Sequence, residues 1–290
     1  LSELITFPGL GLVFEVNRVA LSLGPFTVYW YGVMITTGIV LGALYAFGRS
    51  DAFGIDRDRG LDAVMYSILG GFVGARIYYV AFTWDYYSQY PEKIIRIWEG
   101  GIAIYGGIIG AFITAWFLCR RWNIRFLALG DMTVGGLLIG QALGRWGNFF
   151  NYEAFGANTN LPWGMTSSSI SQYLQLYSAQ LAALGTVVDP SQPVHPAFFY
   201  ESLWCLIGFV VIAMVSHRRR FDGELVLLYA IWYGTGRFFF EGLRTDSLLL
   251  GSLRVSQWLS ALVVVAAVAL LAGMRRRIQD SGDPEYPWQS

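Results

Sequence analysis

Lysine is almost missing from this chain. Of 20 cationic residues, 19 are arginine and Lys93 is the exception. Acidic residues also number 20, so the net charge is zero, and charged residues make up only 14% of the 290. A balanced chain offers no basic surface for nucleic acid, and no such partner is expected. There are two histidines, His195 and His217, and two cysteines, Cys119 and Cys205. Both cysteines sit in apolar runs, which reads as two buried small side chains rather than a disulfide or a nucleophile. No Cys/His cluster has metal-ligand spacing, so neither a metal nor a cofactor is implied.

Apolar residues are what the chain does have. They make up 55% of it, and mean hydropathy is +0.47. That is too apolar for an ordinary soluble domain and predicts a polytopic membrane protein. A spanning helix needs about 20 mainly apolar residues. Seven candidates lie near 26–48, 61–83, 101–119, 126–147, 196–216, 224–243 and 253–274. No cleavable leader is predicted, and the first long apolar run reads as a permanent span.

The loops predict orientation. Arg49, Arg57 and Arg59 follow span 1, Arg120, Arg121 and Arg125 follow span 3, Arg218–Arg220 follow span 5, and Arg275–Arg277 follow span 7. The other side holds Arg18, Lys93, Arg96, Arg244 and Arg254. The positive-inside rule then places the N-terminus outside and the C-terminus in the cytoplasm. The expected fold is an all-α membrane protein of seven transmembrane helices. A small external head, 148–195, joins spans 4 and 5, and 275–290 forms a cytoplasmic tail whose end, "QDSGDPEYPWQS", reads as disordered. Glycines four apart, at Gly70/Gly74, Gly106/Gly110 and Gly136/Gly140/Gly144, read as sites of close helix packing.

Several ionisable residues fall where lipid makes them costly: Asp62, Arg76, Asp131, Arg145, Glu201, Arg237 and Glu241. The predicted topology brings Arg76, Arg145, Glu201, Arg237 and Glu241 to one depth near the outer headgroups, level with Tyr31 and Tyr105. Asp62 and Asp131 fall near the cytoplasmic side. Tyr233, Arg237 and Glu241 are spaced by four and share a helix face. Three arginines against two glutamates leave a cationic surplus, which suits a phosphate. Structural ion pairing is the competing explanation for each residue taken singly. His195, just before a proline at the start of span 5, reads as a capping or packing group ahead of a base.

One stretch is more specific. "GRWGNFFNYEAFG", 144–156, resembles the signature of the prolipoprotein diacylglyceryl transferases, Gly-Arg-x-Gly-Asn-Phe-x-Asn-x-Glu-x-x-Gly. Gly144, Arg145, Gly147, Asn148, Phe149, Asn151, Glu153 and Gly156 all match. "YWYGVM" (with Tyr31), "GARIYYV", "WEGGIAIYGGIIG", "HPAFFYESLW" and "YGTGRFFFEGLRTD" resemble further family motifs. The resemblance implies transfer of the diacylglyceryl group of phosphatidylglycerol to the lipobox cysteine of a prolipoprotein signal peptide. A thioether forms, and glycerol phosphate leaves. It implies the bacterial inner membrane, with the bilayer itself as a partner and the site toward the outer leaflet. Some family members carry histidine where Tyr105 stands, so a histidine base at that position does not carry over.

The expected roles follow from that chemistry. Arg145 and Arg237 hold the phosphate and stabilise its departure. Tyr105 orients it, or acts as a base. Asn148 and Asn151 hydrogen-bond the glycerol headgroup or cap the span end, and Tyr31, Tyr233, Glu153 and Gly156 complete the lipid site. Glu153, Glu201 and Glu241 fix the arginines, with Arg76 and His195 in support. An anionic-lipid transporter or scramblase is the main alternative. The absence of an internal repeat and the concentration of charge on one side argue against it. A metal-dependent phosphatidyl transferase and a seven-span receptor leave the arginine signature unexplained.

Overall fold

The computed structural model describes residues 2–24, 26–183, 185–243, 249–250 and 253–281. Arg244, the end of the sixth motif and the tail beyond 281 lie outside the described residues. The described chain divides into two compact units, residues 46–132 and the remainder.

Two hairpins come first. β1 (Ser2–Phe7) pairs antiparallel with β2 (Leu12–Asn17), and β3 (Val19–Leu23) with β4 (Phe26–Tyr29). Three of these strands lie ahead of the first expected span, in a stretch to which the sequence reading assigned no element, and β4 takes residues 26–29 of that span, so its helix begins at Trp30. Helices follow: α1 (Trp30–Phe47), α2 (Arg57–Phe82), the single turn α3 (Trp84–Tyr87), α4 (Ile104–Trp122), α5 (Phe126–Phe150), α6 (Ser168–Ala183), α7 (Ala197–Val215) and α8 (Glu224–Leu243). A short pairing of β5 (Leu249–Leu250) with β6 (Leu253–Arg254) precedes α9 (Val255–Ser281).

A helix thus stands at each of the seven positions where a span was expected. Five of them, α1, α2, α5, α7 and α9, are long and apolar enough to cross a membrane. The other two, α4 with 19 residues and α8 with 20, are not among these five. Arg120 and Arg121 close α4, and α8 carries Glu224, Arg237 and Glu241. The architecture is that of a mostly helical, polytopic membrane protein, with strands confined to short hairpins.

In the 46–132 unit, Asp56 caps α2 by accepting a hydrogen bond from the backbone N–H of Arg59 at 3.0 Å. Arg57, Asp58 and Arg59 keep that first turn polar, and the apolar run follows. Gly70 and Gly74 of α2 meet Gly106 and Gly110 of α4. A methyl group on Gly74 would lie 2.8 Å from the Cα of Gly110. Lipid tails give no hydrophobic drive for helices to pair, so close backbone approach supplies the contact instead. Asn123, in the left-handed region at φ 56°, ends α4.

The larger unit uses the same device. Gly42 of α1 faces Gly136 of α5, and a methyl on Gly42 would sit 2.5 Å from the Gly136 carbonyl oxygen. Gly38 faces Gly140 in the same way. The first hairpin joins α6 in a small apolar core around Ile5, Val16, Met165, Ile170 and Leu174. Glu3 ties its edge: its carboxylate accepts hydrogen bonds from the Ser168 hydroxyl, the Ser169 hydroxyl and the Ser169 backbone.

These contacts separate two kinds of glycine. Gly42→Val should lower the thermal unfolding midpoint by several degrees, since overpacking costs about 1–3 kcal/mol. Gly144 has nothing within 4 Å of where a Cβ would stand, so Gly144→Ala should leave the midpoint unchanged or raise it. A fall with Gly144→Ala would contradict this assignment.

Candidate functional site

The site begins where α5 ends. Arg145 and Asn148 lie in its last turns, and the chain then reverses through Tyr152 and Ala154, both left-handed at φ 60° and 57°. Glu153 holds this reversal. Its backbone N–H donates to the Asn148 carbonyl at 3.0 Å. Its Oε1 accepts from Asn148 Nδ2 at 2.9 Å and Asn151 Nδ2 at 3.3 Å. Arg18 reaches across, donating to the Asn151 carbonyl at 2.9 Å and lying over the Tyr152 ring. The two asparagines therefore order the helix end through one carboxylate.

The glycines of the motif admit other segments. A Cβ on Gly147 would lie 2.9 Å from the ring of Tyr31, so Tyr31 packs where a side chain would stand. Gly156 is enclosed by His195 and Leu243, each 2.9 Å from its would-be Cβ. Its N–H donates to the His195 carbonyl, and that of Ala157 to the Leu243 carbonyl, both at 2.8 Å. The ends of α5 and α8 and the start of α7 are joined at this point.

Four ionisable side chains meet beside it. Arg145 Nη2 lies 2.6 Å from Glu201 Oε2, and Arg237 Nη1 lies 3.9 Å from the same oxygen. Arg237 Nη2 pairs with Glu241 Oε2 at 2.7 Å across one helical turn. The carboxylates are the deeper groups: side-chain exposure is 6% for Glu201 and 5% for Glu241, against 19% for Arg145 and 28% for Arg237. Glu201 Oε1 is buried with no hydrogen-bond partner among the described residues. A guanidinium carries five N–H donors, and these contacts use few of them. Tyr233 lies one turn before Arg237, stacked on Tyr229.

α7 and α8 are locked next to this cluster. Trp204 and Trp232 stack at 4.5 Å between ring centroids. Each indole N–H donates to the other's backbone carbonyl at 3.0 Å. Gly208 leaves room for Trp232, and Gly236 for Trp204. Sequence reading missed this clasp, although its signal is present: Trp-x-x-x-Gly occurs in both helices, at 204–208 and 232–236. The Ser202 hydroxyl adds a bond to the Ala142 carbonyl of α5 at 2.9 Å.

His195 lies just outside α7, its Nδ1 3.3 Å from the Tyr200 hydroxyl, which also accepts from Trp163. Burial pushes its imidazole below the ordinary value of 6.5.

Tyr105 and Arg76 belong to the 46–132 unit. Tyr105 opens α4 and is 64% exposed. Arg76 is buried at 7% exposure. Its guanidinium donates to four backbone carbonyls, of Lys93, Ile94, Gly100 and Gly101, at 2.6–2.7 Å. It also lies over the Tyr87 ring. Arg76 therefore clamps the 93–101 loop that leads into α4. The described cluster in the larger unit holds two of the three arginines counted from the sequence, with both glutamates.

The sequence model of the prolipoprotein diacylglyceryl transferase family matches residues 18–273. The chain belongs to this family. Relatives named phosphatidylglycerol–prolipoprotein diacylglyceryl transferase agree along nearly the whole length. One from Bacillus mycoides (strain KBAB4) is 40% identical over 277 residues, covering 96% of this chain and 98% of that protein. One from Staphylococcus aureus (strain bovine RF122 / ET3-1) is 40% identical over 268 residues, covering 92% of each. The match therefore spans both the Arg145 cluster and the Arg76 loop.

Two predictions follow from this geometry. Arg76→Lys retains the charge but cannot serve four carbonyls with one ammonium group. Hydrogen exchange should rise across 93–101 while α5 and α7 stay protected. Unchanged exchange there would remove the clamp. For His195, the unfolded state binds the extra proton below about pH 6.5, so stability should fall as pH drops through that range. His195→Gln should flatten thermal unfolding midpoints measured between pH 7.5 and 5.5.

Proposed function

We propose that this chain transfers the diacylglyceryl group of phosphatidylglycerol to the lipobox cysteine of prolipoprotein signal peptides, the first step of bacterial lipoprotein maturation. The single observation that carries the reading is the shared-carboxylate cluster. Two arginines present unused donors on the more open side, and two buried glutamates hold them from behind. Family membership over residues 18–273 supports it. In this reading the seven long helices span the inner membrane, N-terminus outside and C-terminus cytoplasmic. Residues 148–195 form the greater part of an external head, and the cluster faces the outer leaflet.

The reaction needs the cysteine sulfur to attack the glycerol carbon that bears the phosphate. The carbon–sulfur bond forms as the carbon–oxygen bond breaks, and the electron pair leaves on glycerol phosphate. The thiol proton goes to water or to the departing phosphate, whose second ionisation lies near pH 6. Two obstacles stand in the way. A free thiol, with a pKa near 8.5, is mostly protonated at neutral pH, and the phosphodiester leaves poorly unless its growing charge is met.

Arg145 and Arg237 address both. Their planar guanidinium groups bind phosphate oxygens and meet the charge that grows as the bond breaks. A nearby guanidinium also favours the thiolate. Because Glu201 bridges the two arginines, their spacing is set before substrate arrives, and no reorganisation is needed during reaction. Among the described residues the two arginines are matched by two glutamates, so binding depends on depth: the glutamates are buried and the guanidinium groups are reachable. Glu201 Oε1 supplies an acceptor for a hydroxyl of the glycerol headgroup. Asn148, Asn151 and Glu153 fix the turn beside it, while Tyr31, Tyr233 and Gly156 shape the lipid site. From the family resemblance Tyr105 is assigned to orient the phosphate through its hydroxyl, and Arg76 positions the loop that leads into its helix.

The test uses purified protein, phosphatidylglycerol and a synthetic lipobox peptide, read by mass spectrometry. A diacylglyceryl adduct on cysteine with release of glycerol phosphate, absent from a Cys→Ser peptide, is the expected result. Arg237→Lys keeps the charge and loses the fork, so transfer should drop by about 100-fold or more with normal membrane insertion. Tyr105→Phe should also slow transfer, and full activity there would remove that hydroxyl from the mechanism. A folded protein that binds phosphatidylglycerol but makes no adduct would point to lipid binding or transport instead.

A further inference from the structure

The two helices that hold Glu201 and Arg237 carry a second charged site at their other ends. Where α7 ends and α8 begins there is a cavity of about 190 Å³, lined by Arg218, Arg220, Glu224 and Arg275 together with Val215 and Leu228. Glu224 and Arg237 are thirteen residues apart on α8. At 1.5 Å per residue the cavity lies about 20 Å from the cluster along that helix, so it forms no part of the site described above.

Its charges are arranged for an anion. Glu224 is the carboxylate in the lining, only 1% exposed, and both its oxygens are engaged. Arg275 donates to Oε1 through Nε at 2.7 Å and Nη2 at 2.6 Å, and the backbone N–H of Arg220 donates to Oε2 at 2.5 Å. Arg275 therefore neutralises Glu224. Neighbouring Arg219 is buried and pairs with Asp222 at 3.3 Å. Arg218 and Arg220 remain. Both are exposed, and neither guanidinium has a hydrogen bond or ion pair to any described residue. Two arginines solvated at a helix end are ordinary in a membrane protein. Two of them lining a preformed cavity, above a carboxylate already neutralised by a third, make a site with two spare cations.

We propose that this cavity binds a phosphate-bearing anion, held between the guanidinium groups of Arg218 and Arg220. Its source is either the headgroup of a phospholipid in the leaflet at that end of α7 or a soluble phosphate. Planar guanidinium groups match phosphate oxygens two at a time, and basic pockets between membrane helices suit anionic headgroups. Val215 and Leu228 give the cavity an apolar wall against which the glycerol end of a lipid can lie. This assignment is independent of the transfer activity proposed above, because it concerns binding at the opposite helix ends.

The test reads binding rather than catalysis. Delipidated protein in dodecyl maltoside is titrated with dioleoyl phosphatidic acid and, separately, with sodium phosphate, and the thermal unfolding midpoint is followed. The measurement is made in an Arg237→Gln background, so that binding at the Arg145 cluster is suppressed. A saturable rise of roughly 2–5 °C is expected. It should disappear when Arg218→Gln and Arg220→Gln are added, both changes being at exposed positions that leave the Glu224–Arg275 pair in place. A rise with the lipid alone assigns the site to a headgroup, and an equal rise with phosphate assigns it to a soluble anion. No rise with either probe, or an undiminished rise in the triple variant, overturns the proposal.

Discussion

A charge among apolar helices must be met by another charge or by a full set of hydrogen bonds, and much of this structure follows from that constraint. Glu201 is buried on α7, and it is tolerable because Arg145 and Arg237 converge on one of its oxygens. Glu241 pairs with Arg237 across one helical turn. Arg76 reaches the same end without any carboxylate, by donating to four backbone carbonyls. At the far ends of α7 and α8, Glu224 is met by Arg275. Each buried charge fixes elements that local helix formation would leave free, so the electrostatic requirement also sets which segments touch.

Much of the helical layout was legible because lipid imposes a length rule. Runs of about 20 apolar residues mark helices whether or not their partners are known, and all seven positions came from such runs. The signature at 144–156 was legible for another reason: its order of Gly, Arg, Asn and Glu encodes a helix end, a reversal and a clamp within thirteen residues. The partners were harder to read. Sequence analysis grouped Arg76 with the other arginines by depth, but charge type does not reveal whether carbonyls or carboxylates complete a guanidinium's hydrogen bonds.

Other features were hidden by their form. The N-terminal hairpins are four to six residues per strand, too short to stand out beside spans of twenty. The glycines of α5 suggested close packing, yet Gly38 and Gly42 of α1, which receive them, were not singled out. The tryptophan clasp was written twice as Trp-x-x-x-Gly, and its meaning emerges only when the two helices lie side by side. Gly144 stands apart from all of these. It belongs to the signature but has open space where a side chain would stand, so close packing at that point does not account for it.

The reciprocal bonds between Trp204 and Trp232 also limit how the molecule can deform. Sliding α7 past α8 by a single turn, about 5.4 Å, would break both indole bonds and drive both rings out of their glycine recesses together. Tilting the two as one body breaks neither. Glu201 and Arg237 lie on that coupled pair, one on each helix, and so keep their separation through such a tilt, whereas Arg145 reaches them from α5. The clasp therefore holds α7 and α8 in one register, while separate bonds, Ser202 to the Ala142 carbonyl and Arg145 to Glu201, tie α5 to the pair they form.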